Sequence, residues 1–205
     1  MKKLVIASLS LGVLGLVGAP FASAADLETK GTTGQVEFTE GKITIEDGES
    51  TFGGGLPSNL DFGKHAIQNE ADEEWSATTD GTTVTTGSLN VSDKRGSSAG
   101  WTIKAKQNAQ FSINSVELEA AALTIKTGDA TNVGGVLPTV GAINVDKELP
   151  INADVDFFGA KVNTGAGDSH LALNEFRLAV PATSEKRMGV YKTSITWTLS
   201  DTPVN

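Results

Sequence analysis

Short runs in which apolar and polar residues alternate, cut at close intervals by turn residues, constrain this chain more than any other feature. "QVEFTE" puts Val36 and Phe38 on one face, "KITIED" does the same with Ile43 and Ile45, and Leu89 and Val91 alternate within "GTTVTTGSLNVSD". "WTIKA" sets Trp101, Ile103 and Ala105 against Thr102 and Lys104. "FSI" pairs Phe111 with Ile113, and "FRLAV" aligns Phe176, Leu178 and Val180. The last run aligns Tyr191, Thr193, Ile195, Trp197 and Leu199. Successive side chains of a strand point to opposite faces, and branched or aromatic residues suit a pleated surface with one side buried. "GGGLPSN", "DGES", "DGTT", "GDATNVGG" and "NTGAGDS" carry turn chemistry between the runs. Many short strands with regular turns predict an all-β fold: a single-domain antiparallel β-sandwich, Ig-like or jelly-roll-like, with few or no short helices. Two segments hold residues with helical character, "KHAIQNEADEEW" with Ile67, Ala71 and Trp75 four apart, and "SVELEAAALTIK".

The N-terminus reads differently. "MKK" supplies positive charge, "LVIASLSLGVLGLVG" is a 15-residue apolar stretch, and "APFASA" ends in small residues at Ala22 and Ala24. That is the pattern of a secretory signal peptide over residues 1–24. The apolar stretch is short for a membrane span, which needs about 20 residues. Residues 25–34 read as a flexible lead-in, and 35–205 as the folded domain. No membrane span is expected after signal cleavage.

Cleavage after Ala24 leaves 181 residues and takes the formal charge from −9 to −11. An acidic balance argues against nucleic acid as a partner. The sequence has no cysteine, so a secreted form needs a hydrophobic core in place of a disulfide framework. Catalytic and metal motifs are weak. "GSSAG" at 96–100 fits G-x-S-x-G around Ser98, but a strand rather than a helix is predicted to follow, so it reads as a hairpin turn. "DVD" at 154–156 and "GDS" at 167–169 lack EF-hand spacing, and zinc would need cysteine or clustered histidine. No enzyme activity and no cofactor are expected.

Two segments stand out. "GWTIKAK" at 100–106 and "SITWTLS" at 194–200 both place a tryptophan and a branched aliphatic at i and i+2, with threonine between. Core packing explains such residues by burial of the indole. The charges add a second reading. From Lys94 to Val116 there is no acidic residue, while Lys94, Arg95, Lys104 and Lys106 are present; Lys186, Arg187 and Lys192 precede the last run. Basic residues gathered beside two tryptophan strands suit a surface for an anionic polymer.

These segments carry a resemblance. "LNVSDKRGSSAGWTIKAKQ" at 89–107 and "YKTSITWTLSDTP" at 191–203 resemble the two signature elements of the WxL domain family of Gram-positive surface proteins, and "LDFGKHAI" and "RLAVP" resemble its connecting pattern. The proximal triplet departs from the pattern, with Ile103 in place of leucine. The resemblance implies a secreted protein at the cell surface, attached noncovalently to the cell wall, with peptidoglycan or an associated wall polymer as ligand and other WxL-cluster surface proteins as further partners. It transfers the motif role to Trp101, Ile103, Trp197 and Leu199, which join Lys94, Arg95, Lys104 and Lys106 as candidate ligand-binding residues. The alternative is a structural module that binds sister surface proteins, with the motifs acting only as core.

Overall fold

The alternating runs become strands wherever one of their faces can be buried. A computed structural model describes residues 33–46, 54–138, 140–141 and 143–204. By contacts the chain divides into Met1–Glu37 and Phe38–Asn205, and the second unit holds every described strand. In chain order these are β1 (Ile43–Ile45), β2 (Glu73–Ser76), β3 (Gly87–Asp93), β4 (Trp101–Gln107), β5 (Ser112–Ile113), β6 (Val116–Glu117), β7 (Ala122–Val133), β8 (Val140–Gly141), β9 (Asp146–Glu148), β10 (Val155–Ala160), β11 (Gly167–Val180) and β12 (Ile195–Ser200). One sheet runs β1-β3-β11-β7-β9, with β2 also paired to β11. A second runs β12-β4-β10-β8, and β5 and β6 form a small hairpin. All these strand pairings are antiparallel. The fold is all-β and consistent with a β-sandwich, as the alternation predicts.

The core lies on the inward faces. Leu89, Val91, Leu123, Ile125, Leu171, Leu173 and Phe176 come from the larger sheet; Trp101, Ile103, Ala105, Phe157 and Phe158 come from the smaller one. Each such large side chain stabilises by roughly 1.5–3 kcal/mol when fully buried. The burial does the work that disulfides do in many secreted domains.

Two places break the period-two rule, and bulges explain both. In β10, Asp156 faces Lys104 while Phe158 faces Ile103, so Phe157 is an extra residue. The bulge turns two consecutive phenylalanines into the same core. In the larger sheet, β7 and β11 bulge opposite one another: Leu171 faces Ala130, Leu173 faces Thr127, and Glu175 faces Lys126. The extra residues are Gly128–Asp129 territory on β7 and Asn174 on β11. Both strands change phase together, so core positions pass from Leu171 and Leu173 to Phe176, Leu178 and Val180. A Cβ on Gly128 would come within 2.6 Å of the Asn174 amide nitrogen, a contact that the exposed Asn174 side chain can relieve by moving aside.

Several expectations are corrected. Residues 35–40 form no strand, and Val36 and Phe38 are exposed. No helix occurs among the described residues: Glu73, Glu74 and Trp75 at the end of the first helical candidate pair with Val180, Ala179 and Leu178, and the second is divided between β6 and β7. Pairing with β11 satisfies the backbone of β2 and β7 where an isolated turn of helix would be marginal. Tyr191 and Thr193 precede β12 and are not part of it. The signal peptide at 1–24 and nearly all of the lead-in at 25–34 lie outside the described residues, as does the "DGES" turn.

Candidate functional site

The two tryptophan segments are hydrogen-bonded neighbours. On the β4–β12 ladder, Trp197 stands opposite Ala105, Leu199 opposite Ile103, and Ser200 opposite Thr102. Directly opposed residues share a face. The inward side of the pair therefore carries Trp101, Ile103 and Ala105 with Trp197 and Leu199. Lys104 and Lys106 point outward with Thr196, Thr198 and Ser200.

Inward, Trp101 and Ile103 are 0% exposed. Side chains without surface cannot touch a polymer while the sandwich stays closed, so these two act on any ligand only through the strand they position. The Trp101 indole N–H donates to the Gly165 carbonyl at 2.9 Å, and its ring meets Phe158 edge-on. Gly165 has φ +72°, and a Cβ there would sit 2.7 Å from the indole nitrogen and collide with Ala160. Trp197 and Leu199 are half-buried against the same core. Trp197 meets Phe157 edge-on, with centroids 5.0 Å apart.

The basic candidates are dispersed. Arg95 is committed internally: its guanidinium grips Asp93 through Nε at 2.9 Å and Nη2 at 2.8 Å, and Nη2 also donates to the Gly100 carbonyl. It closes the crossing from β3 to β4. Burial would raise the Asp93 pKa, yet the Arg95 hydrogen bonds and charge hold it below the ordinary range. Lys94 is exposed beside β3, on the other sheet from Lys104 and Lys106. Lys104 lies 3.9 Å from Asp156, and Lys106 lies 3.9 Å from Asp154. Such long, exposed ion pairs are worth little, so both ammonium groups stay available to a ligand. The "DVD" carboxylates are thus partners of the motif lysines. Ser98 sits in the turn between β3 and β4 with a strand behind it, and His170 hydrogen-bonds Asn90.

A groove of about 1150 Å³ is lined by residues 56–67 and 186–195, among others. Its walls include Trp75 from β2 and Trp197 from β12, the two tryptophans that are not fully buried. The His65 ring stacks flat on Trp75, 3.9 Å between centroids and 8° between planes. Lys64, Lys186, Arg187 and Lys192 supply positive charge to the lining, against Asp61 and Glu73. The charges at 186–192 and the pattern at 60–67 are visible in the sequence, but their proximity is not. Trp75 was hidden inside a helical candidate, and nothing local in the sequence brings residue 65 to residue 188.

No curated protein and no solved structure gives a match. A family model described as "WxL domain surface cell wall-binding" matches residues 55–203, well over half of the chain. That span takes in the groove, both tryptophan strands and the Arg95–Asp93 clasp, and the chain belongs to the WxL domain family of cell wall-binding surface domains.

Proposed function

We propose that this domain holds its chain noncovalently on peptidoglycan, and that the β4–β12 pair is the part that touches the wall. The observation that carries the reading is the register: Lys104 lies beside Thr198 and Lys106 beside Thr196. Two ammonium groups and three hydroxyls then form one outward row, built from segments about 90 residues apart in the sequence. Ammonium and hydroxyl groups suit a polymer rich in carboxylates, amides and hydroxyls. The inward residues Trp101, Ile103, Trp197 and Leu199 support this row from beneath, fixing the register that aligns it. Secretion through the N-terminal signal delivers the domain to that surface.

The test is sedimentation with purified, protein-free sacculi at two salt concentrations. Wild type is expected in the pellet, with less bound at high salt. Lys104→Glu with Lys106→Glu is expected to stay in the supernatant while melting like wild type. Equal sedimentation of that variant would end the reading.

The burial of Trp101 and Ile103 also suits a second reading, in which the motifs serve only as core and sister surface proteins retain the domain. Wild-type protein that fails to bind bare sacculi, but binds walls still carrying their proteins, would favour it.

A further inference from the structure

Among the described residues, two apolar features stand exposed. The first is the segment ahead of β1. Gly41 donates to the Lys94 carbonyl at 2.8 Å, and the pairing of β1 follows from there. Upstream, residues 35–40 alternate as a strand should, yet form no strand among the described residues. Val36 is 75% exposed and Phe38 is 88% exposed. Glu37 and Glu40 make the segment acidic, with no basic residue between Lys30 and Lys42. The second feature is the groove. Met188 at 91% and Val190 at 72% exposure line it, above a floor that includes Phe176 and Trp197, and its lining cations outnumber its acids. Its volume exceeds the roughly 300–1,000 Å³ typical of small-molecule pockets and suits a length of chain.

We propose that residues 35–40 of one copy dock, extended, in the groove of a second copy, so that the domain self-associates on the wall. Six extended residues reach about 20 Å. In an extended segment Val36 and Phe38 share a face and Glu37 takes the other. The first two meet the apolar floor while Glu37 meets the rim set by Lys186 and Lys192. β12 pairs only with β4, and β2 only with β11, so the groove is flanked by two edge strands whose outer sides take no other strand among the described residues. Edges of that kind accept an added strand. One occupant, a second copy, covers both features at once, and the acidic Glu37 of its segment complements the basic rim. The contact joins unlike surfaces, so it forms either a reciprocal pair or an open chain of copies.

The test uses the secreted form in light scattering behind size exclusion, over a concentration series. Phe38→Asp disables the segment, and Met188→Asp with Lys192→Glu disables the groove; all three positions are exposed, so the fold is retained. Wild type is expected to self-associate, each variant alone to weaken association at least about tenfold, and an equimolar mixture of the two variants to form pairs again. Binding of Phe38→Asp to sacculi is measured alongside and is expected to persist, which separates this contact from the wall contact. A wild type that remains monomeric at every concentration overturns the proposal, whatever else its groove takes. So does assembly that neither variant disturbs.

Discussion

Phe157 meets Trp197 edge-on, 5.0 Å between ring centroids and 80° between planes, and it does so from the extra position of a bulge. Regular pleating from Val155, which faces Ala105, would turn Phe157 inward and Phe158 outward. The bulge keeps both rings inside, Phe157 under the distal tryptophan and Phe158 against the proximal one at 5.1 Å. Each motif indole thus has its own phenylalanine from the same strand.

Phe157→Ala is expected to cost about 3–5 kcal/mol, the range for deleting a buried aromatic ring. It leaves a cavity beneath Trp197 and removes an edge-to-face contact. Urea denaturation followed by tryptophan fluorescence measures it. A cost below about 1 kcal/mol would mean that the bulge is incidental.

Trp101→Phe removes the indole N–H and strands the Gly165 carbonyl in the interior. The expected loss is about 1–3 kcal/mol for the unmet acceptor, plus the smaller ring. Gly165→Ala attacks the same contact from the other side, where the left-handed φ and the crowding by Ala160 both oppose a side chain. Thermal melting of the two single variants and the double variant is expected to show less than additive losses, because they share one contact.

Asp93 and Arg95 make stability depend on acid. The folded pKa of Asp93 lies below its ordinary value, so the clasp contributes fully above the ordinary aspartate range. The contribution disappears as the pH falls through the depressed folded value. Asp93→Asn, which leaves Arg95 unpaired, is expected to cost about 3 kcal/mol near neutral pH. The gap from wild type should narrow in acid, as read from urea midpoints across a pH series.

Deleting residues 191–205 is expected to unfold the domain. It removes all of β12, exposes the ladder side of β4, and takes away the Thr202 carbonyl that accepts from Thr102 Oγ1 at 2.9 Å. A soluble, protease-resistant truncation with native circular dichroism would contradict this.

The layered β-fold was legible in the alternation, as was the kinship of the two tryptophan strands. Leu89 with Val91, and Trp101 with Ile103, needed only period two. Phe157 with Phe158 was illegible by that rule, because a bulge is set by the partner strand and leaves no period in its own. Ile67, Ala71 and Trp75 fall four apart by coincidence, and pairing with Leu178 decides the structure of Trp75. The "QVEFTE" run has the right pattern and no paired strand among the described residues, which shows that alternation licenses a strand without supplying its partner. Among the charges, period two is enough to set Lys104 opposite Trp101. Arg95 was legible as a cation but not as the clasp of Asp93, since that role depends on how the chain crosses between sheets.

The matched bulges at Asn174 and beside Gly128 have an evolutionary consequence. An insertion or deletion in either of these two long strands alone would turn half of its side chains inside out, whereas a compensating change across the ladder would not. Length changes at the centre of this sheet should therefore be inherited in pairs.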